Sequence, residues 1–314
     1  MSEANLVGVT GNLGAIGDVA AIDAAVGTSK RKGFGIGAWL SIGWLGLVLF
    51  LATFASWIPG VEDPDESFAA IARQGPFSVS GHIFGGDAIG RDMLTRTIYG
   101  ARASLLIGVA AVAIGLLVGG TAGLLAGYFR GRVDTILTGT FDIMLAVPAL
   151  VLALALVSFL KSEPEAGGGG LSTEQIVIIA LGIVSIPILA RITRANTLTW
   201  AQREFVLAAR AQGAKNSRII IREVLPNVLP AMFSIALLSI AVAIIAEGGL
   251  SLLGVGVELP TPSWGNMIAE GRGSLRNAPH IVFVPAIAIF LTVLSLNYLG
   301  DVIRTRFDVR ESSL

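Results

Sequence analysis

Residues 204–227 read EFVLAARAQGAKNSRIIIREVLPN and stand between two long apolar runs. One of the densest clusters of positive charge in the chain falls in this stretch, and the rest of the sequence is short of charge. What such a cluster does depends on where it lies relative to a membrane. The 314 residues are 54% hydrophobic and only 14% charged, with a mean hydropathy of +0.77; a soluble domain carries about 25% charge. This is the composition of an integral membrane protein. The formal net charge is zero, so no global field draws the chain to nucleic acid, and any asymmetry lies in how the charges are distributed.

A helix crossing about 30 Å of hydrocarbon needs about 20 apolar residues. Six runs meet or approach that length: Phe34 to Ile58, Ser104 to Ala126, Ile136 to Leu160, Ile176 to Ala190, Val228 to Leu253 and Ile281 to Gly300. The fold class expected is an all-α membrane protein of six transmembrane helices. Lys30, Arg31 and Lys32 directly precede the first run, which places the N-terminus in the cytoplasm by the positive-inside rule. An even number of spans returns the C-terminus to the same side. Fifteen Lys and Arg then lie inside and seven outside. Three of those seven, Arg91, Arg96 and Arg102, are expected on the outer face, on a surface helix leading into the second span. Residues 1–33 read as a cytoplasmic tail, 34–103 as an uncleaved first span with an extracytoplasmic segment, 104–303 as a five-helix core, and 304–314 as a cytoplasmic tail. Gly167 to Gly170 reads as an outer loop.

The lysines are Lys30, Lys32, Lys161 and Lys215, and none follows glycine, so the chain lacks the Gly-Lys-Ser/Thr loop that cradles nucleotide phosphates. There is no cysteine, which excludes disulfides and thiolate chemistry. His82 and His280 lack any HExxH context and read as surface-loop residues, not metal ligands. No catalytic cluster emerges.

Gly115, Gly119, Gly123 and Gly127 recur every four residues, forming one stripe suited to close helix packing. Pro148, Pro187 and Pro285 interrupt spans three, four and six, where kinks are expected. Asp142 and Glu247 fall inside apolar runs, where a charge costs about 3 kcal/mol or more. Each is expected to face water, the bundle interior or a partner. For Glu247, before Gly248 and Gly249, a place near the outer interface and a role in a pathway stay equally open.

The basic stretch lies within the longest inside segment, 191–227. From Glu204 helix formers run to Gln212, with Phe205, Ala208 and Ala209 sharing a face and Arg210 off it. Gly213 ends that helix, Asn216 or Ser217 is placed to cap a second, and Pro226 closes the segment. A small-residue face with flanking arginines suits a groove on another protein.

At this point the sequence resembles a family. AARAQG followed by RIIIREVLPN is similar to the EAA loop of bacterial ABC importer permeases, with Ala208, Ala209, Gly213, Leu225 and Pro226 matching at the family's spacing. Leu207 stands where that pattern has Glu, and Glu223 where it has Ile; Glu204 is the nearby acid. Further stretches, GGDAIGRDMLTRTIYGARASLLIG (85–108), FDIMLAVPALVLALAL (141–156), EGGLSLLGVGVELPTPSWGNMIAEGR (247–272) and LTVLSLNYLGDVIRTRFDVR (291–310), resemble the C-type permease subunit of dipeptide, oligopeptide and nickel importers. Val309 replaces the family's usual proline.

The resemblance implies a type I importer permease in the bacterial plasma membrane, forming half of a translocation pore. Its partners would be a second six-helix permease, two ATPase subunits and an extracytoplasmic solute-binding protein. ATP and magnesium would sit on the ATPases, leaving no cofactor on this chain. Residues 204–226 would be the ATPase-coupling loop. The rival readings are a stand-alone secondary transporter or channel, which leaves the glycine-hinged loop unexplained, and an intramembrane enzyme. Peptide is the leading substrate class, nickel or another small solute the alternative.

Overall fold

A computed structural model describes residues 35–61, 63–162 and 170–311, with the side chains of 162 and 307–311 left aside. The expectations for the N-terminal tail with Lys30 to Lys32, for Gly167 to Gly169 and for the side chain of Val309 lie outside the described residues. What is described is helical, with isolated bridges in the 58–92 segment the only extended pairing. Five helices are long and apolar enough to cross a membrane, or six when a bent pair counts as one span.

Helix α1 (Ile36–Phe54) leads through a turn-rich segment to α2 (Met93–Phe129). The second span therefore begins well before Ser104. Asp92 explains the early start: its side chain accepts the backbone N–H of Thr95 at 2.8 Å, an N-cap that lets the helix form before the apolar run begins. The expected separate surface helix is instead the first turns of α2, with Arg96 and Arg102 on it and Arg91 just ahead.

The third span is broken. Helix α3 (Gly131–Ala146) and α4 (Ala149–Ser162) meet at 91° across Val147 and Pro148. Proline removes an N–H and pushes its predecessor out of the helical region, and Val147 is extended at ψ 130°. At Pro187 the outcome differs, because α5 (Thr173–Trp200) continues as one helix through it. Its start is set by a capping box, Ser172 with Gln175. Arg191 and Arg194 thus belong to this span and not to a loop.

After the short helix α6 (Glu204–Ala211) and a turn, α7 (Asn216–Leu252) is again one unbroken rod. Helix α8 (Trp264–Gly271) folds back across the end of the bundle, capped by Ser263, and α9 (His280–Glu311) closes it, passing through Pro285. Helix α2 packs along α5 and α7, α7 along α9, and α1 against α2 and α9. The glycine stripe lies in the α2–α5 seam: a Cβ on Gly119 or Gly123 would overlap the carbonyl oxygens of Ile186 or Ala190, and one on Gly115 or Gly127 would come within 2.7 Å of Leu189 or Thr197. The backbones approach so closely because these positions carry no side chain.

Candidate functional site

Helix α6 stands at the end of the bundle opposite α8. It presents Glu204, Phe205, Leu207, Ala208 and Arg210 to the outside and turns Val206 fully inward. Val206 packs with Tyr128, Ile219, Val224 and Val228, with Ala209 and Leu225 partly buried against them. Ala208 and Ala209 are thus divided between an open face and an anchored one. Two arginines lie over aromatic rings: Arg203 is 5.3 Å from the Trp200 ring and Arg210 is 5.4 Å from the Tyr128 ring.

Gly213 closes α6 at φ +79°, and a Cβ there would meet nothing within 4 Å. Its requirement is conformational, since only glycine adopts that region without strain. Neither Asn216 nor Ser217 caps the next helix: Lys215 occupies the cap position without a side-chain bond. Asn216 instead accepts the Tyr128 hydroxyl at 2.9 Å, tying the end of α2 to the turn. Pro226 does not close the segment either. It sits near a π-helical turn, Ile220–Val224, where the missing proline N–H costs least, and α7 runs on to Leu252. Helix α6 is therefore joined through the Gly213 turn to a spanning helix.

Charges inside the apolar runs are handled in two ways. Arg96 is fully buried and not exposed on a surface helix; it bonds Glu270 at 2.9 Å, while Arg91 bonds Glu270 at 2.8 Å and Asp87 at 2.5 Å. Glu247 is also fully buried, inside a helix that continues past Gly248 and Gly249 to Leu252. It accepts Ser251 and Ser263 hydroxyls at 2.8 Å each and Ser104 at 3.4 Å. The last two hydroxyls in turn accept the backbone N–H groups of Asn266 and Trp264, so their protons point at the carboxylate. Residues from α2, α7 and α8 meet on that one side chain. His280 is buried as well, with Nε2 at 3.0 Å from the Gly86 carbonyl, and so does not lie in a surface loop. His82 contacts Asp92 at 2.8 Å. At the other end of the span, Asp142 pairs with Arg191 and Asp134 with Arg194, joining α3 to α5.

Residues 119–312 match the family described as "Binding-protein-dependent transport system inner membrane component". The chain belongs to that family. Among relatives, the permease matches the di/tripeptide transport system permease protein of Pseudomonas aeruginosa at 40% identity over 266 residues, 83% of this chain and 84% of that one. It matches a glutathione transport system permease protein of Escherichia coli at 40% over 262 residues, 83% and 82% of the two chains. In fold it resembles a chain of the inward-facing methionine ABC transporter MetNI, with TM-score 0.57 and 18% identity, covering 68% of this permease and 97% of that chain. It is thus a multi-pass membrane permease component of an ABC importer and not a catalyst in its own right.

Among the described residues of the permease, no group of three or more His, Asp or Glu stands where it could hold a metal. Sequence reading missed Val206, Tyr128 and the Ser104–Ser251–Ser263 set. Val206 carried no distinguishing signal, since its neighbours Phe205 and Leu207 are as apolar and lie exposed. The serines carried none, since Ser104 and Glu247 lie 143 residues apart.

Proposed function

We propose that this permease carries short peptides, di- and tripeptides or glutathione-sized molecules, and that α6 with the Gly213 turn is where partner ATPases grip it. The substrate reading is supported by the peptide and glutathione permeases it matches at 40% identity over most of their length. The coupling reading is carried by one observation: an exposed, apolar-anchored helix joins through a single positive-φ glycine to a rod spanning the whole bundle. Nickel or another small solute remains the second substrate class.

In this reading the termini and α6 face the cytoplasm and α8 faces outward. The assembly pairs the permease with a second six-helix permease, two ATPases and a solute-binding protein. Nucleotide binding on the ATPases favours one of two packings of the spans because it draws the two coupling segments together. Glu204, Phe205, Leu207, Ala208 and Arg210 contact the ATPase, Val206 and Ala209 transmit force through their packing, and Gly213 sets the angle. No bond is made or broken on this chain.

The test is uptake and peptide-stimulated ATP hydrolysis by the reconstituted four-part complex. Gly213→Pro forces φ to about −65° where the native value is positive, and is expected to abolish uptake while the chain still inserts and assembles. Ala209→Trp, which overfills the packed face, is expected to do the same. Uptake at the native rate by Gly213→Pro removes the coupling assignment; peptide-independent hydrolysis and absent peptide uptake by the native complex remove the substrate assignment.

A further inference from the structure

The two ion pairs joining α3 to α5 differ in a way that bears on substrate. Asp134 and Arg194 engage through both oxygens and two guanidinium nitrogens, and their side chains are 17% and 30% exposed. That is a fixed brace. Asp142 and Arg191 touch through one oxygen and one nitrogen at 2.5 Å, and their side chains are 59% and 63% exposed. The second oxygen of Asp142 and the other N–H groups of Arg191 make no further hydrogen bond or ion pair within the described residues.

An aspartate is too short to reach an interface from within an apolar run, and a lipid-facing carboxylate is costly there. The face carrying Asp142 therefore looks onto water or protein, not hydrocarbon. Beside the pair lies a small recess lined by Gly123, Ala126, Phe141 and Ala190, with the two arginines at its rim. An acceptor, a forked donor and an apolar recess stand together, and the exposure of the pair keeps its mutual attraction weak.

Resting on the peptide reading above, we propose that Asp142 and Arg191 form a zwitterion site on the translocation pathway. The free oxygen of Asp142 takes the ammonium end of a short peptide and the unused guanidinium edge of Arg191 takes its carboxylate. The brace at Asp134 and Arg194 holds the two helices while the outer pair opens.

The experiment uses the complete importer in proteoliposomes, with dialanine as the transported probe and a dipeptide carrying a benzophenone side chain as the photolabel. Expected results are labelling within α3 or α5, competed by dialanine but not by N-acetyl-dialanine amide. In Asp142→Asn and Arg191→Gln, uptake and labelling fall about tenfold or more, the worth of a lost charge-assisted bond. Both variants co-purify with the second permease and the ATPases at the native yield, which shows that they assemble. Native dialanine uptake in both variants, or labelling confined to other helices, overturns the site and leaves the peptide reading standing. Absence of dialanine uptake by the native complex overturns both. The chain lacks cysteine, so Asp142→Cys can be labelled cleanly with a maleimide-benzophenone reagent; photocrosslinking from it to the second permease in every nucleotide state makes this face a subunit interface and overturns the site.

Discussion

At the α8 end of the permease, Arg91, Arg96, Asp87 and Glu247 lie out of water with their polar atoms met by hydroxyls, by one another or by Glu270, whose own side chain is 29% exposed. At the α6 end, Arg203, Arg210, Lys215, Arg218 and Arg222 are exposed and make no ion pair within the described residues. The basic side chains at α6 are held at most by aromatic faces, which leaves their charge available. Buried polar groups that satisfy one another fix a shape, because removing one leaves the others orphaned. Exposed ones fix little and can be claimed by a partner. One end of the molecule is therefore built to stay as it is and the other to be held.

The largest effect expected from that contrast is at Glu247. Glu247→Ala leaves the hydroxyls of Ser104, Ser251 and Ser263 turned toward a void, and is expected to cost about 3–5 kcal/mol. Glu204→Ala on α6 is expected to change stability by no more than about 0.5 kcal/mol. Thermal unfolding of the two purified variants compares them directly; equal shifts would dissolve the distinction between the ends. Next comes Glu270→Gln, which weakens bonds to two arginines at once. With Asp87 still bonded to Arg91, the expected loss is about 2–3 kcal/mol, and α8 should become more open to hydrogen exchange than the rest of the bundle.

These two residues also show where sequence reading stops. The spans were legible because hydrocarbon thickness imposes a run length, and the break at Pro148 was legible as a kink. Helix limits were not: Asp92 starts α2 early, α5 runs on to Trp200, and the coupling turn feeds α7 without interruption. Hydropathy marks only the part of a helix that meets lipid, whereas capping and packing set its ends. The burial of Arg96 was missed for a related reason. Its partner Glu270 is 174 residues away, and local pattern cannot pair groups that only the fold brings together. Within 204–226, the glycine turn was readable from residue type, but which side of α6 is anchored depended on Val206 finding a cluster drawn from three helices.

A finer probe lies at the boundary between the held and the holding regions. Tyr128→Phe removes the bond from α2 to Asn216 and leaves the ring under Arg210, with an expected loss of about 1 kcal/mol. Because that bond anchors the turn, uptake should fall more than stability does, and an unfolding shift without any change in uptake would mean that the turn is positioned by apolar packing alone.

The smallest effect separates burial from location. Lys161 and Glu258 pair at 3.0 Å at the α8 end, but with side chains 29% and 69% exposed. The hydrogen bond from Lys161 holds the Glu258 carboxyl below its usual range. A depressed pKa contributes stability above the unfolded value and loses it as pH falls through the folded one, so whatever this pair adds is present at neutral pH and disappears in acid. Solvent screening keeps that contribution to about 0.5 kcal/mol or less. Glu258→Gln is therefore expected to leave the neutral-pH unfolding temperature almost unchanged and to flatten only slightly its decline in acid. A loss comparable to that of Glu270→Gln would mean that position at this end of the bundle, rather than exclusion from water, decides what an ion pair is worth.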